Sequence, residues 1–525
     1  LELDTFLHKL HFDTEKVFPS DWEVDWEDAP LPYKLYRGLP EISLNAEVPL
    51  TLQKREEDRN PSLEELGHFL WYVYGLTQFA QSHMPDGADG KNAGFTQSLR
   101  RFVPSGGALY PNELYVYMKL DDAPDGIYHY DVAHHRLILL REGNYDSYLS
   151  RSLGNSQPIS DCFCTVFVST VFWKNFYKYN NFSYRLQGLD AGVVIGQSLE
   201  TADTMGFSTR VCYQFLDRPI NQLLGLSEQK ESVYAVIPLS TKPIRCVGNG
   251  GRGEIFTSVE LCREIPELNH ATYNRSKRVI DYPILKRLNE ESMFDTTDSF
   301  VKIKKPQREK LPLDLKLSML PVTESFSYDF AAACRKRYSP GLDFTLGNVN
   351  QTQLSTLLKE TLSFPYQNDL DETEGQIEKR VSLYGSFYHV EGMPDGAYSY
   401  ETGTHALQRI AVGDYREYMQ SGLTMPFVNM YQVPLCMHVV GDKGHLKECL
   451  GYRGYRIQQM EAGILVQRLL LVSGALGMGG HAILGFDANQ SDELFRTDSK
   501  GKTCLIQIPV GPYRPRAWLK GGVLG

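Results

Sequence analysis

Residues 124–145 read PDGIYHYDVAHHRLILLREGNY, and residues 394–415 read PDGAYSYETGTHALQRIAVGDY. Pro124, Asp125, Gly126, Tyr128, His135, Leu137, Gly143 and Tyr145 return as Pro394, Asp395, Gly396, Tyr398, His405, Leu407, Gly413 and Tyr415, at a constant offset of 270 residues. Further on, YRLQGLDAG from Tyr184 is answered by YRIQQMEAG from Tyr455, at an offset of 271. A period this long is no solenoid repeat of about 20 to 50 residues. It predicts one whole domain duplicated and fused, with the two-fold architecture of a homodimer folded into one chain. A site is then expected between the halves, each half being free to lose what the other supplies.

The bulk properties narrow the classes. At 525 residues the chain exceeds what one hydrophobic core supports. Its 42% apolar and 22% charged residues are those of a globular protein, and its 31 tyrosines suit large cores or a site for a flat ligand. A net charge of −10, with no long Lys/Arg block, argues against nucleic acid as a partner. The nine cysteines are scattered, without CxxC or His/Cys metal spacing, so no metal site and reduced, cytoplasmic thiols are expected. The opening LELDTFLHKLHF lacks the basic end and apolar core of a signal peptide, and no apolar run is long enough to span a membrane.

Three segments are expected: a first domain over 1–246 with a lead-in over 1–50, a connection over 247–322, and a second domain over 323–525. The connection holds GNGGRG and VKIKKPQREKLPLD, whose glycine, proline and charge mark an exposed linker; VELCREIPEL could pack there as a short helix. GNGGRG formally matches GxGxxG, but no apolar strand leads into it, so it reads as linker. Each half begins with a helical pattern, SLEELGHFLWYVYGL or NQTQLSTLLKETL. Strand-like segments follow (ELYVYMKL and GIYHYD; SFYHVEG and GAYSYE), then CFCTVFVST or PLCMHVV, the long helix opening at YRLQGLDAG or YRIQQMEAG, and a closing strand, VYAVIPL or CLIQIPVG. Strands mixed with helices without strict alternation indicate an α+β fold.

The stretch with most chemical character is RRFVPSGGALYPNELYVYM, from Arg100 to Met118. Ser105-Gly106-Gly107 breaks the chain just before a strand, where glycines let backbone N–H groups approach a ligand and Ser105 adds a hydroxyl. A tight loop feeding a strand would read the same way.

Taken with PDGIYHYD and KYNNFSYRLQGLDAG, PSGGALYPNELYVY resembles the FMN-dependent nitroreductase-like superfamily, and within it the SagB/ThcOx-type peptide dehydrogenases that oxidise azolines to azoles. WEDAPLPYKLYRGLPEISL resembles that subfamily's lead-in. The likeness covers nearly all of the first half and, more weakly, the second. It implies two tandem nitroreductase-like domains forming an intramolecular pseudo-dimer, with FMN between them. One unit of such a dimer contributes an Arg-Arg-Ser-type segment to the phosphate, where bidentate Arg suits a dianion. The other contributes a Pro-Ser segment to the ring.

The halves differ in what they keep. Arg335-Lys336-Arg337-Tyr338-Ser339 of the second half resembles the phosphate segment, whereas the first half reads QKREEDRNP, with Glu56, Glu57 and Asp58 set against Lys54, Arg55 and Arg59. The first half keeps Arg101 and Pro104-Ser105-Gly106-Gly107; the second has only RVSLYGSFY. The turn from Gly480 to Phe486 resembles the place where the family's backbone meets the ring edge, which nominates Leu484 and Gly485, with His481 beside them. Arg514 and Arg516 are further phosphate candidates, or else a solvated basic tail; Lys242 and Arg245 are weaker ones. Lys178-Tyr179 matches a Lys-Tyr pair linked in the azoline-oxidising relatives to proton abstraction, a task a modest base can perform because the adjacent carbonyl and imine acidify the proton. The second half has Cys449-Leu450 there.

The resemblance thus implies an FMN-dependent azoline dehydrogenase acting on a heterocyclised precursor peptide beside an ATP-dependent cyclodehydratase, and leaves open a further homodimer. An NAD(P)H-fed nitroreductase or quinone reductase and a flavin-free scaffold remain as alternatives.

Overall fold

The computed structural model describes residues 2–17, 19, 21–55, 59–83, 95–244, 254–303, 317–324, 326–371, 379–515 and 519–522. In chain order the strands begin with β1 (Glu41–Ser43), β2 (Gln78–His83), β3 (Phe95–Arg100), β4 (Asn112–Leu120) and β5 (Ala123–Asp131). Then come β6 (Arg136–Glu142), β7 (Cys164–Val171), β8 (Ser208–Thr209) and β9 (Glu231–Ser240). The second half has β10 (Leu317–Met319), β11 (Ser382–Phe387), β12 (Gly396–Glu401) and β13 (Ala406–Val412). It continues with β14 (Leu435–Asp442), β15 (Gly479–Gly480), β16 (Lys502–Gly511) and β17 (Leu519–Gly522).

Two seven-stranded sheets result, ordered β1-β6-β5-β4-β7-β9-β8 and β10-β13-β12-β11-β14-β16-β15. The second order repeats the first strand for strand, and two of the irregularities repeat too. The register shifts between Ile127 and Tyr128 and again between Ala397 and Tyr398, then between Val168 and Ser169 and again between Val439 and Val440. Both sheets are covered on both faces. Along β4, Leu114, Val116 and Met118 join the core on the long-helix side, while Tyr115 and Tyr117 join a second core on the other face. That is the two-residue period of a strand buried on both sides.

The long helices Ser183–Met205 and Tyr452–Ala475 pack on each other between the sheets. Their approach needs glycine: a β-carbon on Gly192 would lie 2.1 Å from the Met460 carbonyl oxygen, and one on Gly463 would lie 2.3 Å from that of Leu189. The contact is reciprocal, because Leu189 and Met460, like Gly192 and Gly463, occupy matching places of the repeat. Tyr184 stacks on its own counterpart Tyr455 at 5.9 Å between ring centroids.

The terminal segments cross over. The first helix, Leu3–Phe12, sits on the second half, where His11 Nε2 lies 2.8 Å from Thr503 Oγ1 and Asp4 pairs with Lys447. At the other end β17 pairs with β2. The connection is less exposed than its composition suggests. Residues 254–303 fold onto the first half, burying Phe256, Leu261, Tyr282, Leu285 and Leu288, and β10 already pairs with β13. The apolar residues of the helices Ser258–Cys262 and Pro283–Glu291 outweigh the polar composition around them. GNGGRG and most of VKIKKPQREKLPLD lie outside the described residues. The strand expected in SFYHVEG is shifted: β11 ends at Phe387, His389 takes a positive φ of 55°, and its N–H donates to Asp395.

Candidate functional site

The loop before β4 leaves β3 at Arg101 and turns sharply at Gly106–Ala108. The Ser105 hydroxyl donates to Asp190 Oδ2 at 2.5 Å and accepts from the Tyr110 N–H at 2.9 Å. The Gly106 N–H donates to Asp190 Oδ1 at 3.2 Å. Asp190, on the long helix Ser183–Met205, is 7% exposed. Burial pushes its carboxyl up to about 7, against the two hydrogen bonds that favour the anion. Asp190 was not among the residues expected from sequence. Its signal was present, since the repeat keeps an acid at Asp190 and Glu461.

Lys178 and Tyr179 end the helix Trp173–Tyr179, which Asn180 closes at a φ of 45°. Their side chains converge on the loop. A β-carbon on Gly107 would lie 2.5 Å from the Tyr179 hydroxyl and 2.8 Å from Lys178 Nζ, and the Gly107 φ of 63° favours glycine there. Lys178 Nζ also faces the ring of Trp26 at 5.3 Å, which brings a residue of the lead-in into the site. Burial lowers the Lys178 pKa. The Tyr179 phenol is pushed up by burial and further by the negative charge of Asp190. One turn back on the same helix, Lys174 pairs with buried Glu113 and donates to the Tyr110 carbonyl at 3.3 Å. His129 lies 2.8 Å from the other Glu113 oxygen. Although burial alone would raise the Glu113 pKa, Lys174 and His129 hold it well below the usual range. This buried ion pair ties the Lys178-Tyr179 helix to β4.

The second half reaches the same loop. After the helix Phe330–Lys336, Arg337 donates through Nε to the Phe102 carbonyl at 2.6 Å, and Arg335 donates to the Leu50 carbonyl at 2.6 Å. Tyr338 stacks on Tyr513 at 4.9 Å, the Gly480 N–H donates to the Tyr338 carbonyl, and the Arg514 N–H donates to the Asp343 carbonyl. Arg335, Ser339, His481 and Arg514 are therefore carried by segments that pack together. His481 Nδ1 is buried without a partner, and burial, aided by the Arg337 charge, lowers its pKa to about 4. Among the described residues no carboxylate pairs with Arg335, Arg337 or Arg514.

Other nominated residues are placed differently. The Arg101 guanidinium is turned inward, donating to the carbonyls of Pro32 at 2.7 Å and Tyr74 at 3.3 Å over the Tyr74 ring. Pro104 is half-buried. Leu484 is buried, and the Gly485 carbonyl accepts from the Thr424 N–H at 3.0 Å; no described bond joins either to the Ser105 loop. Arg516, Arg245 and Glu56–Asp58 lie outside the described residues.

The counterpart places are closed by ion pairs. Glu461, the counterpart of Asp190, bonds Arg380 Nε at 2.8 Å, and Arg380 bonds Asp371 at 2.7 Å. The cavity beside them, lined by Phe364, Tyr366 and Val381, holds about 40 Å³. Arg55, at the place corresponding to the Arg337 segment, faces Glu65 at 3.5 Å, and Arg59 faces the same carboxylate at 2.9 Å.

Residues 56–239 match the nitroreductase family. The chain carries a nitroreductase family domain. Over 138 residues it is 28% identical to the microcin B17-processing protein McbC of Escherichia coli, covering 25% of this chain and 51% of McbC. Over 145 residues it is 28% identical to the trifolitoxin-processing protein TfxB of Rhizobium leguminosarum bv. trifolii, covering 26% of this chain and 39% of TfxB. The chain thus spans about half the length of the first of these curated relatives and less of the second. A crystal structure of a nitroreductase candidate from Anabaena variabilis superposes with a TM-score of 0.72 at 20% identity, over 98% of this chain and 99% of that one. That likeness extends the nitroreductase-like α+β fold to both sheets. Among the described residues no helix is long and apolar enough to cross a membrane.

Proposed function

We propose that the chain is an FMN-dependent dehydrogenase that oxidises azolines to azoles in a ribosomally made peptide, working at a single composite site. The observation that carries this reading is the convergence of Lys178 and Tyr179 on the glycine turn of the Ser105 loop. The names of McbC and TfxB, processing proteins for microcin B17 and trifolitoxin, support a processing role, to which the family resemblance adds a heterocyclised precursor peptide as substrate and a cyclodehydratase as working partner.

The two halves, divided near 246 and 323, read as tandem nitroreductase-like domains forming an intramolecular pseudo-dimer. Matching strand orders, repeated bulges and the reciprocal Gly192 and Gly463 contacts support this. FMN fits the residues present. Arg335, Arg337, Ser339 and Arg514, with no carboxylate paired to the guanidinium groups, suit a phosphate. Ser105, Gly106 and Gly107 suit the ring, with Leu484 and Gly485 at its edge and the unpartnered His481 Nδ1 as a further polar contact.

When bound, FMN supplies the two-electron acceptor. The chain's own residues handle the proton. Lys178, whose burial favours the neutral amine, takes the proton from the azoline carbon. Tyr179, kept protonated by burial, remains a hydrogen-bond donor beside it. The Trp26 ring lies beside the amine, 5.3 Å from Lys178 Nζ.

The test is to purify the chain, identify any released flavin by mass spectrometry, and follow azole formation from an azoline peptide under air. FMN release and azole formation that depends on Lys178 are expected. A colourless protein that cannot take up FMN would overturn the reading. Flavin-bound protein that reduces nitroarenes with NAD(P)H and ignores Lys178→Ala would replace it with the reductase alternative.

A further inference from the structure

Several buried acids of the molecule are neutralised by a cation: Glu113 meets Lys174, Glu231 meets Lys34, Asp217 meets Arg453, and Glu461 meets Arg380. Asp369 and Asp492 are held by neutral donors within the fold. Asp190 is likewise held by neutral donors, the Ser105 hydroxyl and the Gly106 N–H, but these belong to the candidate site, and among the described residues no cation pairs with it. Tyr179 from the helix Trp173–Tyr179 and Tyr74 from the helix Leu63–Tyr74 lie near enough to feel its charge, and Lys178 stands against Gly107 of the same turn. The opposing helix brings Gln459 and Met460, both uncharged, against Gly188 and Gly192. The guanidinium groups at the base of the loop, Arg101 and Arg337, are turned to main-chain carbonyls. In this arrangement the hydroxyl proton of Ser105 lies on Asp190 and is not free for a ligand.

We propose that Asp190 and Ser105 form a proton-linked donor pair: one proton taken from solvent by Asp190 Oδ2 is donated to Ser105 Oγ, which frees the Ser105 hydroxyl proton for an acceptor atom of the bound ligand. The count closes. A hydroxyl oxygen accepts two hydrogen bonds and donates one. Ser105 Oγ would accept from the Tyr110 N–H, already 2.9 Å away, and from protonated Asp190, while Asp190 Oδ1 keeps the Gly106 N–H. Asp190 is a positioning residue in this scheme, acting through Ser105. Its carboxyl, lifted to about 7 by burial, is set to take up that proton near neutrality. The inference rests on the reading that Ser105 faces FMN, and it predicts that flavin binding draws in a proton.

Isothermal titration calorimetry tests it, using flavin-free full-length protein, FMN as the probe, and two buffers of different ionisation enthalpy at pH 8. At that pH the FMN phosphate is already dianionic, so it contributes no proton of its own. Wild type is expected to take up about one proton per FMN, and its affinity to fall roughly 50-fold between pH 7 and pH 9. Asp190→Asn should take up none and show nearly flat affinity over that range. Ser105→Ala should also lose the uptake, with Asp190 in place, so a folding defect in one variant does not decide the outcome. FMN binding by wild type without proton uptake, or undiminished uptake in Asp190→Asn, would overturn the pair and leave the flavin site standing. Failure of wild type to bind FMN at any pH would overturn both.

Discussion

Asp190 and Glu461 occupy matching places of the sequence repeat, level with each other beside the close contact of the two central helices, and differ in what holds them. Asp190 holds two neutral donors of a glycine turn, with Lys178 and Tyr179 against that turn. Glu461 is locked to Arg380, which also holds Asp371, and the adjoining cavity of about 40 Å³ has room for a water or two. A buried acid with neutral partners stays responsive to its surroundings. The same acid facing a guanidinium becomes a fastening. Two different halves within one chain permit this division, which identical subunits could not adopt.

The sharpest way to break the comparison is to disable each place in turn. Lys178→Ala should slow azole formation by about 10²–10⁴-fold while flavin stays bound, the usual cost of losing a general base; single-turnover kinetics on the yellow protein reads this. Arg380→Ala should instead cost stability, about 3–5 kcal/mol, because Glu461 is left buried without its cation. Denaturant unfolding measures that loss, and flavin content per folded chain should not change. If Arg380→Ala altered flavin content, the place beside Glu461 would not be inert.

Asp190→Asn sharpens the contrast through pH. The Asp190 carboxyl sits at about 7 in the folded chain, far above its ordinary value, so folding retains a proton that the unfolded chain releases above about pH 4. Its contribution to stability therefore declines as pH rises from about 4 to about 7 and is flat above that. The flavin-free variant should melt higher than wild type at pH 8 and lose that advantage at pH 4, as differential scanning calorimetry would show. The smallest effects are expected at the arginines. Arg337→Ala should weaken FMN by about 1.5–3 kcal/mol, the value of a charge-assisted hydrogen bond. Arg55→Ala, at the counterpart place, should leave FMN affinity unchanged.

Much of this was legible before the structure. The 270-residue offset carried the two sheets, the paired helices and even the bulges, because a repeat preserves the local geometry that needs a bulge. The glycine turn and the Lys-Tyr pair were readable as motifs; their convergence was not, since Gly107 and Tyr179 meet only in the folded chain. Asp190 was overlooked because an acid within a long helix looks like a solvent-facing residue, and only tertiary packing buries it. The direction of the Arg101 guanidinium, toward the carbonyls of Pro32 and Tyr74, was not readable from sequence either, nor was that of Arg337 toward Phe102. Trp26 and the Lys174–Glu113 pair also went unnoticed, because their importance lies in neighbours remote in sequence. The connection misled through average composition, which hid a few well-placed apolar residues.

The central claim is that two related halves share one flavin site, and the stoichiometry of FMN binding tests it most directly. Flavin-free protein titrated with FMN, followed by quenching of flavin fluorescence at protein concentrations well above the dissociation constant, should saturate at one FMN per chain. Saturation at two FMN per chain would contradict the account, because the place beside Glu461 and Arg380 would then be a working site.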